Sequence, residues 1–178
     1  MISDFVKGKK QYDFSPGIQK GIRLHRAIDT FTDAHPASKQ LKEFFRPDYR
    51  LYAGAFTDVA YDHFLANDKI EFPSTTALQA FSASVYVIMD EHFEVLPAGF
   101  QRLYPYMRSQ DWLFNYREHW LIERSFLGLE RRATYLHESG IAFKIFGENL
   151  EAMRSCYISF FPELKAFAAH KLQELLNG

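Results

Sequence analysis

One cysteine, Cys156, stands in the whole chain of 178 residues. An intrachain disulfide framework is therefore excluded, and a reducing compartment suits the sequence. Cys156 sits in an apolar helical pattern, so it reads as a core thiol rather than a nucleophile. No window approaches the roughly 18 consecutive apolar residues of a membrane span. Met1 to Lys10 is charged and has no apolar run of useful length, so no signal peptide is read there and a cytoplasmic location is expected. The net charge of −1 gives no overall pull toward nucleic acid or a membrane surface, and neither is expected as a partner. The sequence also lacks a glycine-rich phosphate loop, a CxxC pair, a GxSxG elbow and any internal repeat. No stretch of two-residue alternation bounded by turn dipeptides supports a strand.

What remains is an ordinary globular composition, 47% hydrophobic and 24% charged, with 18 Phe and 10 Tyr. Residues 1–178 are long enough for one domain with a full core and too short for two. The reading is an all-α, single-domain bundle of about seven helices. Ser15-Pro16 offers a capping hydroxyl followed by proline at the first helical position, which starts a helix over Pro16–Thr32. A short amphipathic helix follows over residues 37–46, broken at Arg46-Pro47-Asp48. Tyr52–Asn67 forms the next, and Ser74 to Thr76 caps one over 75–93. Phe100–Met107 is a further helix. A segment starting at Trp112 continues through Leu127, with Arg124, Arg131 and Arg132 on or near its exposed side, where a solvated face is expected. Ser139-Gly140 reads as a stop. The last helix, about Phe146–Leu176, contains Pro162, where a kink is expected.

The chain is best read outward from GIQKGIRLHRAIDTFTDAHP, Gly17–Pro36. His25, Asp29 and Asp33 recur at steps of four, which drift by only about 40° on a helix and so form one narrow stripe. Ile18, Ile22, Leu24, Ile28 and Phe31 flank His25 and Asp29, whereas Gln19, Lys20, Arg23, Arg26 and Thr30 lie opposite. A carboxylate within an apolar face costs several kcal/mol unless it is paired or bound to a cation. A His–Asp hydrogen bond within one helix would satisfy both groups and do nothing more. Asp33 and His35, near the helix end, suit capping or turn roles.

Tyr52–Asn67 is apolar nearly all round, the signature of an interior helix, yet carries Asp58, Asp62 and His63. Asp58 has a simpler reading as the partner of a lysine or arginine from elsewhere. Taken together, imidazole and carboxylate from two helices suit Mn²⁺, Fe²⁺, Zn²⁺ or Mg²⁺ with open positions rather than a closed thiolate site. Such an ion lowers the pKa of a water and neutralises phosphoryl charge, and Arg26 alongside would stabilise charge on phosphate oxygens. Lys7, Lys9, Lys10, Lys20 and Arg23 form a basic edge, by default a solubility feature and otherwise a seat for an acidic partner.

DFVKG at Asp4–Gly8, GIRLHRAIDTFTDAHP at Gly21–Pro36 and DVAYDHFL at Asp58–Leu65, with the W-L-x-x-Y pattern at Trp112–Tyr116, resemble the acyl carrier protein phosphodiesterase family. The resemblance implies a helical fold divergently related to the His-Asp (HD-domain) metal phosphohydrolases. It implies a Mn²⁺-dependent hydrolase, with Mg²⁺ or Fe²⁺ as other ions, that removes 4′-phosphopantetheine from holo acyl carrier protein. Carrier proteins are small and strongly acidic, which gives the basic edge a purpose. Carried over by position, His25, Asp29, Asp62 and His63 are metal ligands or their immediate partners. Asp4, Arg26 and Asp58 are the catalytic set, with Asp4 a further acid of the site and Arg26 the phosphate contact. Relatives usually carry an additional N-terminal segment of the form N-F-L-A-H, and Ser3 stands where glycine is usual. An exposed apolar groove where that segment would pack, and a homodimer formed over it, are therefore expected. Two rival readings from the residues are a catalytically incomplete helical protein that binds an acidic partner, and a metallohydrolase for another phosphodiester.

Overall fold

The computed structural model describes residues 3–133 and 136–177. Among them are nine α-helices and no strand. They are α1 (Pro16–Ala34), α2 (Pro36–Tyr49), α3 (Ala53–Ala66), α4 (Thr75–Glu91), α5 (Ala98–Ser109), α6 (Trp112–Asn115), α7 (His119–Arg132), α8 (Ser139–Glu148) and α9 (Leu150–Asn177). Seven have substantial length, so the all-α bundle read from the sequence is the fold. Two short 3₁₀ helices, Ser3–Phe5 and Gly8–Asp13, precede α1. No helix of the described residues is long and apolar enough to cross a membrane.

Several boundaries differ from the sequence reading, each for a local reason. Ser15 precedes α1 but makes no side-chain cap hydrogen bond, whereas the Ser74 hydroxyl accepts from the Ala77 amide at 3.1 Å. Pro47 does not break α2, which runs on to Tyr49 and ends where Arg50 turns to φ 41°. That residue, in the last turn, only forgoes one amide donor. Ser139-Gly140 opens α8 instead of stopping a helix. The Glu138 carbonyl accepts from the Tyr49 hydroxyl at 2.7 Å, and that hydroxyl accepts from the Ala142 amide at 2.9 Å. This anchor fixes the α8 start against α2. The Trp112–Leu127 segment is two helices, because Asp111 caps a single turn before α7 begins at His119. Pro162 lies within a continuous α9.

The main core lies between α2, α3, α7, α8 and α9. Phe45, Phe56, Phe126 and Phe146 are fully buried there, with Phe56 and Phe126 edge to face at 4.8 Å. Cys156 is a buried free thiol in this core, and burial raises its pKa, as its apolar setting predicts. A second, smaller core forms around Tyr86, Phe100, Tyr104 and Met107 on α4 and α5. The Tyr86 hydroxyl donates to the Met107 carbonyl at 3.1 Å, so its polar tip is satisfied although the ring is wholly buried.

Helix α1 crosses α9 through Phe31, which stacks on Phe167 at 4.6 Å. That contact uses one side of its apolar stripe and leaves the adjacent side facing α3 and the Ser3–Phe5 turn. Phe5 packs on Phe100 of α5 at 5.7 Å. A Cβ at Gly99 would stand 2.6 Å from the Phe5 ring, so this docking needs glycine there. The N-terminal turn is thus held between the two cores.

Candidate functional site

Helix α1 presents His25 and Asp29 one turn apart, and their His25 Nδ1 to Asp29 Oδ2 distance is 3.0 Å. Their side chains are 34% and 53% exposed, so this pair is not buried as its place in the apolar stripe predicted. The reason is tertiary: α9 covers only the Phe31 side of that stripe. The Ser3–Phe5 turn brings Asp4 to the same place. Asp4, His25 and Asp29 each offer a ligand atom, and these atoms lie within 4.8 Å of one another.

Arg26 explains how the turn is held. Its Nη2 donates to the Val6 carbonyl at 2.7 Å, and its Nη1 to Gln11 Oε1 at 2.9 Å. Both ends of the guanidinium are engaged with the N-terminal segment. Arg26, expected as a phosphate contact, also straps the N-terminal segment to α1. These two bonds use one donor on each Nη and leave three of the five guanidinium N–H groups for other partners.

Helix α3 supplies two further acids. Phe56, Val59, Ala60, Tyr61 and Phe64 are buried, as the apolar composition predicts. Asp58 and Asp62 occupy its one open stripe, a turn apart, and are accessible to solvent. Neighbouring protein nonetheless displaces part of the water around both carboxyls. Desolvation, opposed by Lys42 and reinforced by the neighbouring Asp33, Asp29 and Asp4, pushes the Asp58 carboxyl up to about 6. Desolvation, and next the charge of Asp58, push Asp62 up to about 7. Asp58 thus feels both α1 and the N-terminal turn.

His63 is not brought to this group. At about 100° from Asp62 on the helix, it turns inward and is only 6% exposed. Its Nδ1 bonds the Tyr116 carbonyl at 2.9 Å, and its ring meets Phe146 edge to face at 5.3 Å. Burial depresses its pKa, so the neutral imidazole donates through Nδ1–H. Adjacent residues on a helix point to different neighbours, and the Asp62-His63 pair is split between the solvent-exposed side of α3 and the core.

Lys42 was not legible as a site residue, since it sits in an unremarkable amphipathic helix. From α2 it reaches Asp33 at 2.6 Å and lowers the Asp58 pKa. Asp33 is thus an ion-pair partner rather than a cap. His35 does cap: its Nδ1 accepts from the Ala37 amide at 3.2 Å at the start of α2.

The chemistry available here is that of three carboxylates, from Asp4, Asp29 and Asp58, and the His25 imidazole. One imidazole and two carboxylates suit a divalent cation of intermediate hardness. Asp58 beside them adds negative charge that a cation would neutralise. A single lysine, shared with Asp33, does not balance that charge.

The family model of acyl carrier protein phosphodiesterase matches residues 1–164. Curated relatives named acyl carrier protein phosphodiesterase include one from Yersinia pestis, 30% identical over 171 residues, which cover 96% of this chain and 89% of the relative. One from Escherichia coli O139:H28 is 29% identical over 174 residues, with the same two coverages. One from Photorhabdus laumondii is 28% identical over 171 residues, covering 96% of this chain and 86% of the relative. No solved structure matches the chain.

Proposed function

The chain belongs to the acyl carrier protein phosphodiesterase family, and from that premise we propose that it hydrolyses 4′-phosphopantetheine from holo acyl carrier protein in a metal-dependent reaction. The observation that carries the reading is the convergence of Asp4, His25 and Asp29 to within 4.8 Å, with Asp58 beside them. In the reaction water adds its oxygen to phosphorus, the bond from phosphorus to the carrier's serine oxygen breaks, and a proton reaches that oxygen. The products are apo carrier and free phosphopantetheine.

Asp4, His25 and Asp29 would hold the divalent ion, for which Mn²⁺ is the candidate, and Asp58 would add charge to the same side. When bound, such an ion supplies a water of lowered pKa and positive charge beside a phosphoryl group. The His25–Asp29 bond orients the imidazole, as a carboxylate partner commonly does at such centres. Arg26 holds the segment bearing Asp4 in register with α1. Lys42 limits the repulsion among Asp33, Asp58 and Asp29. Asp62, a turn farther along α3, retains a proton near neutral pH. It is suited to hand that proton to the departing serine oxygen.

The test is incubation of the protein with holo carrier and Mn²⁺, with and without EDTA, followed by intact mass. A loss of one phosphopantetheine from the carrier, abolished by EDTA, supports the reading. Turnover that is indifferent to EDTA removes the metal. Carrier binding without turnover at any metal concentration assigns a binding protein instead. Hydrolysis of other phosphodiesters with the carrier untouched changes the substrate.

A further inference from the structure

Taking Arg124 as zero on the α7 wheel, Gly128, Arg131 and Arg132 fall within about 80° of it, and Glu123 and Glu130 lie about 100–120° to one side. Glu130 is engaged there, accepting from the Ser139 amide at 2.8 Å. The three arginines are exposed, and among the described residues none forms a hydrogen bond or an ion pair with a carboxylate. Arg124 rests over the Trp120 ring at 5.9 Å.

They rim a cavity of about 400 Å³ that has no acidic side chain in its lining. Its inner wall is apolar, from Val59, Leu103, Trp112 and Leu121, and Tyr116 and Ser125 add two hydroxyls. A volume of this order is typical of small-molecule sites. Tyr116 in the lining is close enough to the α3 acids to feel them: burial and the Asp62 carboxylate raise its pKa, and Arg132 lowers it. Val59, one turn before Asp62 on α3, lines the same cavity.

Unpaired arginines around an amphipathic cavity whose lining includes Tyr116 and Val59, the neighbours of Asp62, suit a ligand with two parts. One is long, narrow and mostly uncharged, and fits the cavity. The other is a surface of carboxylates that meets the rim. We propose that the α7 arginines seat an acidic face of the carrier protein while its prosthetic arm lies in the cavity behind Tyr116. This rests on the carrier being the substrate. It places docking on α7 and not on the Lys7–Lys10 edge.

The experiment compares two triple variants. One is Arg124→Gln/Arg131→Gln/Arg132→Gln, and the other is Lys7→Gln/Lys9→Gln/Lys10→Gln. Each is measured for KM and kcat on holo carrier, for affinity to apo carrier at low salt, and for hydrolysis of bis(p-nitrophenyl) phosphate. All six residues are exposed, so both variants keep the wild-type circular dichroism melt. The arginine variant is expected to raise KM and weaken apo-carrier binding by about tenfold, with a flatter salt dependence. Its kcat and its hydrolysis of the small diester should stay within about twofold of wild type, the scale on which removal of rim charges leaves chemistry alone. The lysine variant should change little. A lysine variant that loses the carrier while the arginine variant keeps it overturns the docking inference and leaves the phosphodiesterase reading standing. Single-stranded RNA that competes as well as the carrier also overturns it. A wild-type protein that neither binds nor cleaves the carrier overturns both.

Discussion

Arg26 on α1 donates to the carbonyl of Val6 at 2.7 Å, tying the turn that carries Asp4 to the helix that carries His25 and Asp29. The side chain that the motif reading aimed at phosphate also ties down the turn that carries Asp4. This distinguishes two kinds of Arg26 variant effect. Arg26→Lys keeps the positive charge but cannot span both Val6 and Gln11. It is expected to lower Mn²⁺ affinity about tenfold while the melting temperature falls by only a few degrees, for a loss of about 1–2 kcal/mol. Isothermal titration with Mn²⁺ and a thermal melt check it. A variant with unchanged metal affinity and reduced kcat alone would return Arg26 to the substrate.

Asp58 and Asp62 give the metal-free protein a pH dependence with a definite sign. Both carboxyls are held above the ordinary value of 3.8, near 6 and 7, so the fold favours their protonated forms. Their favourable contribution is full below about pH 4 and is lost as pH rises through the folded values. In EDTA, Asp58→Asn and Asp62→Asn are therefore expected to melt higher than wild type at pH 8, by a smaller margin at pH 5, and to approach it only below about pH 4. Mn²⁺ affinity of the wild type should rise across the same window, as the ion displaces protons. Equal melting differences at both pH values would show that neither acid is perturbed.

Gly99 is a second control on the position of Asp4. A methyl group there would stand 2.6 Å from the Phe5 ring, which is itself 39% exposed and able to swing outward. Gly99→Ala is expected to cost about 1 kcal/mol or less in stability but to weaken Mn²⁺ binding several-fold, because Phe5 is the neighbour of Asp4. Chemical denaturation and metal titration separate the two effects.

For His63 the expectation runs the other way. His63→Ala leaves the Tyr116 carbonyl without its donor and opens a space against Phe146, so a loss of about 2–4 kcal/mol is expected. Bound manganese per folded protein should be unchanged. A stable variant with no metal would place His63 at the centre after all.

Particular residues show how far the sequence could be read. The helical class followed from the absence of alternation and from repeated apolar spacing, both of which are local properties. The stripe of His25 and Asp29, and that of Asp58 and Asp62, followed from the helical repeat alone. Residues four apart share a face whatever the rest of the chain does. The reading erred where a side chain's direction depended on what stood opposite. Asp62 and His63 are neighbours in sequence, yet Asp62 is on the solvent-exposed side of α3 and His63 packs against Phe146 in the core.

The sequence by itself determined an all-helical chain, its family, the buried face of α3 and the acids on α1 and α3. Tertiary structure alone decided that Asp4 joins His25 and Asp29, that Arg26 is a strap, and that Lys42 enters from α2 beside Asp58. It also decided that the exposed α7 arginines rim a cavity. The physical reason is range: helical periodicity fixes which residues share a face within about a turn or two. Charge pairing, desolvation and cavity shape arise only when elements far apart in sequence are packed together.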